Sequence, residues 1–307
     1  MSEEWNLANL KRFSIHEREN LVHVEDFATL PEPGAPFEEF LKSLPNILTG
    51  REFRDLVGLL RGIAKADGGI VVAMGAHVIK CGLGPVVIDL MKRGIVTGVA
   101  LNGAGAIHDY EIALIGATSE DVGETLHEGR FGMARETAGA FARAARIAHE
   151  SERGLGEVLA GLIVKDELPH RRASILATAA MLDVPVTVHV AIGTDVVHMH
   201  PEADGADIGA ATLEDFRSVC RTVMNLGSGA WLNVGSAVLL PEVFLKAVSV
   251  ARNLGADLDN LITANFDMLD MYRPRTNVVK RPTGRGFQII GKHEIMLPLL
   301  RMALIQP

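Results

Sequence analysis

Apolar residues along this chain fall into short unbroken runs, separated by longer stretches in which they recur every three or four positions. The clearest run, Ile70-Val71-Val72-Ala73-Met74, is rich in β-branched residues and predicts a strand buried on both faces. Beyond the turn Met74-Gly75-Ala76-His77, the residues Val78, Ile79, Leu83, Val86, Val87, Leu90 and Met91 keep helical spacing. Lys92-Arg93-Gly94 closes that stretch, cations followed by a glycine, which suits the negative end of a helix. A second apolar run, Ile95 to Leu101, leads into Asn102-Gly103-Ala104-Gly105-Ala106. Strand, crossover helix and strand predict a parallel pair.

The alternation continues to the end of the chain. Strands are predicted at 184–192, 230–234 and 261–267, with a short apolar run at 287–290. Helices are predicted over 134–164, 171–182, 240–253 and from His293 onward, and Thr212 with Asp215 three residues later predicts a helix start close to a capping box. Residues 1–50 are the least regular, with a short strand predicted at Leu21–Val24 and helical spacing from Phe37 and again beyond Leu48. The expectation is an N-terminal extension over residues 1–54, then one nucleotide-binding domain over 55–307. Its fold class is α/β, a doubly wound, mostly parallel, Rossmann-like sheet.

Composition narrows the function classes. The 307 residues are 48% hydrophobic, 22% charged and 5% aromatic, enough apolar material for a large core. A formal charge of −8 without a basic stripe argues against a nucleic-acid partner. Two cysteines, Cys81 and Cys220, exclude a disulfide framework or zinc ribbon. No apolar run reaches the roughly 20 residues of a membrane helix. The polar start MSEEWNLANLKRF does not read as a signal peptide, so a cytoplasmic location is expected.

Four predicted strands end in small residues: Gly75-Ala76, Gly103-Ala104-Gly105, Gly193-Thr194 and Gly235-Ser236. In a parallel sheet those ends share one edge, where open α/β sheets bind ligands. Position 108 is His where a G-x-G-x-x-G fingerprint would carry its third glycine. His77 and His108 belong to that edge as acid/base candidates, while Asp109 and Glu111 in a first turn suit the helix dipole. Asp195, His198, His200, Glu202, Asp204 and Asp207 form a loop able to chelate zinc or manganese, which opens the alternative of a metal-dependent hydrolase. Arg273, Arg275, Lys280, Arg281, Arg285 and Lys292 make a cationic tail that could hold a phosphate or carboxylate.

The order of these pieces resembles the deoxyhypusine synthase family over roughly residues 55–300. Ile79-Lys80-Cys81-Gly82-Leu83 stands at the family's serine-rich turn, and Asn102-Gly103-Ala104-Gly105 with Asp109 is similar to its threonine-alanine-glycine-glycine turn followed by acids. Ser174-Ile175-Leu176, Val184-Pro185-Val186 and Thr194-Asp195 are similar to its serine-led helix, IPV strand and TDG turn. Gly235-Ser236, Asn253-Leu254-Gly255-Ala256-Asp257 and Thr263-Ala264-Asn265-Phe266-Asp267 follow in the family's order, with Lys292-His293 before Leu297-Pro298-Leu299-Leu300 at its C-terminal motif. The resemblance implies NAD as cofactor, bound by Gly75, Ala76, Asn102, Gly103, Ala104, Gly105, Asp109, Thr194, Asp195, Gly235, Ser236, Thr263 and Ala264. It also implies a homotetramer, and a reaction in which an amine is oxidised and the imine carbon passes to a lysine. Here Pro241-Glu242 replaces the family's histidine pair, the polyamine-receiving segment is missing between Asp267 and Arg273, and Lys280 is the nearest lysine. The expectation is therefore an NAD-dependent transferase or oxidoreductase that does not make deoxyhypusine. Its substrate would be small, and anionic if the cationic tail contacts it. His77, His108, Lys280 and Lys292 are its catalytic candidates, and a non-catalytic nucleotide-binding homologue is a further alternative.

Overall fold

The computed structural model describes residues 6–282 and 284–306. Six strands, β1 (Ile70–Met74), β2 (Gly98–Asn102), β3 (Val186–His189), β4 (Ala230–Val234), β5 (Ile262–Asp267) and β6 (Gly286–Ile290), form one sheet. Their order is β3-β2-β1-β4-β5-β6 and every neighbouring pair is parallel, which is a Rossmann-like α/β fold. The topology reverses between β1 and β4, so the connections leaving those two strands diverge to opposite sides.

Side chains alternate across the sheet, and each face has its own core. Ile70, Val72 and Met74 point to the larger one, shared with the helices Leu48–Lys65, Gly84–Lys92, Ile175–Leu182 and His293–Leu304. Leu56 and Leu60 are fully buried there, each worth about 2 kcal/mol in removed apolar surface. Val71, Ala73 and Trp231 point to the other, against the helices Gly205–Met224 and Leu239–Asn253, with Trp231 stacked on Phe244 at 4.6 Å. Among the described residues no helix is long and apolar enough to cross a membrane.

Most predicted elements are present, and the departures have local causes. The stretch 78–91 is two helices, His77–Lys80 and Gly84–Lys92, because Gly82 at φ +73° turns the chain and Pro85 restarts it. The stretch 134–164 likewise divides into Arg135–Glu150 and Leu155–Lys165. β3 stops at His189, since the Val190 N–H donates to the Thr212 hydroxyl (3.2 Å) rather than to a strand. Thr212 and Asp215 start no helix. That helix begins at Gly205, capped by Asp204, which accepts from Ala206 N (2.8 Å) and Asp207 N (3.0 Å). Asp215 is instead buried, accepts from Gly156 N at 3.0 Å, and caps the helix Leu155–Lys165. At Leu21–Val24 no strand forms; His23 and Asp26 cap a single turn, Val24–Asp26. The helix Leu48–Lys65 runs through residues 54 and 55 as one element.

Candidate functional site

The carboxyl edge of the sheet gathers Gly75, Asn102, Asp195, Gly235, Asp267 and Lys292-His293. Two of the glycines there make room for the protein's own neighbours. A Cβ on Gly75 would lie 2.3 Å from the Gly235 carbonyl oxygen, so the ends of β1 and β4 meet backbone to backbone. A Cβ on Gly103 would lie 2.0 Å from Asp195 Oδ2. The close approach that these residues permit is therefore first to each other, and they shape the floor on which a ligand would rest.

On the β2–β3 side, Asn102 caps the helix Gly103–Ile115 by accepting from Gly105 N at 2.8 Å. The Asp195 carboxylate sits at the same helix start and accepts from the Ala104 N–H. Its Oδ2 has no partner although the residue is only 8% exposed. Burial pushes the Asp195 carboxyl up to about 6, with the Ala104 hydrogen bond opposing part of that rise.

Beside Asp195 opens a cavity of about 740 Å³, walled by the helix Gly103–Ile115 and the segment 117–134, with Lys80, Ala104, His108, Glu111, Thr194 and Asp195 among its lining. His108 Nδ1 lies 2.6 Å from the Thr118 hydroxyl, which donates to Glu111, and Thr137 donates to the other Glu111 oxygen at 3.3 Å. With its proton given to Glu111, Thr118 must accept from His108, so Nδ1 carries hydrogen and Nε2 is the ring nitrogen left for another partner. Burial works to raise the Glu111 carboxyl, but these hydrogen bonds outweigh it and hold it below the ordinary range.

On the β4–β6 side the lining is different. Ser236 accepts from Leu240 N at 3.2 Å and starts the helix that follows β4. Asn233 donates to Asn265 (2.7 Å) and to the Ser236 carbonyl (3.0 Å), leaving Asn233 Oδ1 and Asn265 Nδ2 buried without partners. His77 and His293 face each other with ring centroids 5.8 Å apart.

No family model matches the chain, and no curated protein sequence does. Solved structures do match. A LOR/SDH protein from Methanococcus maripaludis S2 aligns over 88% of this chain and 70% of its own, with a TM-score of 0.51 at 18% identity. AgrE, solved with ornithine and NAD+, aligns over 82% of this chain at TM-score 0.54 and 15% identity, but over only 32% of its own length. A protein described as a deoxyhypusine synthase from Entamoeba histolytica aligns over 88% of this chain and 93% of its own, at TM-score 0.50 and 10% identity. The relationship is one of fold. The chain spans about a third of AgrE, and at these identities neither substrate nor reaction passes across.

Several residues predicted for the site lie elsewhere. Asp109 is buried and spends both oxygens on the start of the helix Ile175–Leu182: Ser174 Oγ donates at 2.5 Å, Ile175 N at 2.8 Å and Leu176 N at 3.0 Å. It clamps two helices and has nothing left for a cofactor. Thr263 and Ala264 belong to the first half of β5, in register with Trp231 and Leu232, fully buried and away from the carboxyl edge. Lys280 is also misplaced. It ends the helical segment Arg275–Lys280, and neighbouring Val279 packs against Gly286 where β6 begins, which puts Lys280 at the opposite edge of the sheet. Lys292 is at the carboxyl edge, exposed, with its Nζ 3.8 Å from Met268 Sδ.

The cationic tail does not act as one patch. Arg273 pairs with Glu242 and Arg275 with Asp270 (2.7 Å), while Lys280 and Lys292 belong to opposite edges. The histidine loop is dispersed too. His198 Nδ1 accepts from Gly193 N (3.2 Å), His200 Nε2 meets the Gly132 carbonyl (2.8 Å), and Asp207 pairs with His149 (2.7 Å). Among the described residues no three of His, Cys, Asp or Glu gather as a metal site. Sequence reasoning misses two groups. Glu111 has the spacing of a dipole complement and is the anchor of the His108 relay. His293 has the position of a helix start, although a histidine directly after a strand end is an available signal.

Proposed function

We propose that this protein is an NAD-dependent enzyme acting on a small substrate, with the dinucleotide laid across the carboxyl edge and the substrate in the 740 Å³ cavity. The observation that carries this is Asp195: a nine-tenths buried carboxylate among the residues lining the cavity, one oxygen bonded to Ala104 N and the other without a partner. A buried carboxylate oxygen without a partner calls for a donor, and ribose hydroxyls are the donors that acidic residues take in this fold. Because a carboxylate already occupies the start of the helix Gly103–Ile115, the diphosphate is assigned to the Gly75-Ala76 turn at the switch point. NAD+ would supply a hydride acceptor. The chain would supply Asp195 to orient the ribose, His108 Nε2 to take a proton from the substrate, and the 117–134 wall to exclude water. The AgrE structure with NAD+ supports the choice of cofactor.

Calorimetric titration of the purified, chelator-treated protein with NAD+ tests this reading. A dissociation constant of about 10 μM or tighter is expected, weakened at least thirtyfold, or about 2 kcal/mol, by Ala104→Trp, whose ring would crowd Asp195 where the ribose is placed. Binding unaffected by Ala104→Trp would overturn the placement.

A further inference from the structure

His293 is 1% exposed, yet neither ring nitrogen has a hydrogen-bond partner. A buried imidazole left so is rare, because it forfeits its water without replacement. It stands at the edge, not in the hydrophobic interior. Leaving β6, the chain turns through Gly291-Lys292 and carries the His293 ring over the end of β4, where a Cβ on Gly235 would lie 2.9 Å from Nε2. His77, which leaves β1, closes the other side. Two more buried polar atoms without partners, Asn233 Oδ1 and Asn265 Nδ2, belong to the carboxyl halves of β4 and β5.

The charged and titratable groups that face the ring are Asp267 at the end of β5, His77, and Glu294 and Lys292 on either side of it in sequence. Burial lowers the His293 pKa; His77 and Lys292 add to this while Asp267 and Glu294 oppose it, and the net is a neutral ring at pH 7. A neutral imidazole holds one donor and one acceptor, and its tautomer adjusts to the group it meets. Its complement is an uncharged group that can donate to, or accept from, the one ring nitrogen it meets.

We propose that His293 and His77 form the subsite for the carboxamide of the nicotinamide ring. This rests on the dinucleotide reading above. The β4 end lies two strand spacings from the β2 end, about 10 Å, so a nucleotide whose other half lies against Asp195 brings its second base here. The carboxamide offers an N–H and a carbonyl, and either one can pair with a ring nitrogen of His293, whose tautomer follows the group it meets.

The test is calorimetric titration with three probes: NAD+, nicotinic acid adenine dinucleotide (carboxylate in place of carboxamide) and ADP-ribose (no ring), on the parent protein, His293→Leu and His293→Gln. The parent is expected to bind NAD+ at least tenfold more tightly than the carboxylate analogue, the usual scale for one buried hydrogen bond. His293→Leu is expected to reduce that preference to within about threefold, and His293→Gln, whose amide also donates and accepts, to keep most of it. Unchanged ADP-ribose affinity in both variants shows that the rest of the site is folded. A parent that binds NAD+ and the analogue equally, or a Leu variant that keeps the preference, overturns the proposal while leaving the dinucleotide site standing; either result would mean that water or the adenine occupies the His293 subsite. Absence of binding by all three probes removes the dinucleotide reading and this subsite with it.

Discussion

The two halves of the carboxyl edge are built by opposite strategies. On the β2–β3 side nearly every polar group is used: Asn102 caps the helix Gly103–Ile115, Thr118 links His108 to Glu111, and Asp109 locks two helices together. Among the described residues of that side, Asp195 Oδ2, packed against Gly103, and the Thr178 hydroxyl are the buried atoms without partners. On the β4–β6 side, Asn233, Asn265 and His293 all carry buried atoms without partners. Saturated hydrogen bonding makes the first half a rigid wall that gives the site its shape. The second half retains unmet hydrogen-bonding capacity, which costs stability.

The contrast can be broken first at the rigid half. Asp109→Ala strips the partner from the Ser174 hydroxyl and from the N–H groups of Ile175 and Leu176, all buried. Denaturant unfolding is expected to show a loss of about 3 kcal/mol or more, since each abandoned donor carries its own desolvation cost.

A smaller effect concerns pH. Asp195 has its carboxyl raised from 3.8 to about 6 by burial. The folded state therefore holds a proton that the unfolded chain releases at lower pH, so this group favours folding most below about pH 4 and its contribution fades as pH climbs through 6. Asp109 is raised to about 6 in the same way and adds to the same window. Asp195→Asn should flatten the fall in stability between pH 4 and pH 7 by one proton's share, measured as unfolding free energy against pH. A variant with the parent's slope would show that the Asp195 carboxyl titrates alike in the folded and unfolded chain, contrary to its burial.

The smallest effect is predicted where the polar groups are already unmet. Replacing Asn233 and Asn265 together by Leu removes two hydrogen bonds, the one between them and the one to the Ser236 carbonyl, but also two orphaned atoms, and is expected to lower unfolding free energy by about 1 kcal/mol. A loss comparable to that of Asp109→Ala would erase the distinction between the two halves.

Much of the fold is legible in the chain. Runs such as Ile70–Met74 and Ala230–Val234 are apolar on both faces, which only a sheet covered on both sides requires, and the glycines behind them mark the edge correctly. The edge histidine His77 and the turn Asn102–Gly105 are recognisable for the same reason. What fails is whatever depends on tertiary partners. Asp109 and Asp215 have the spacing of first-turn acids of their own helices, yet each caps a helix start 59 or more residues away in the chain. Lys280 lies near the edge motifs in sequence, but the segment Arg275–Lys280 carries it to the opposite edge. His198 and His200 would share a side of an extended chain, but the turn Val196–Met199 aims them at different backbone groups.

The central claim is that the carboxyl edge is a dinucleotide site, and titration of the chelator-treated protein with NAD+ tests it most directly. Saturable binding at about 10 μM or tighter, lost in Ala104→Trp, is the result expected. No heat at millimolar NAD+ would contradict it.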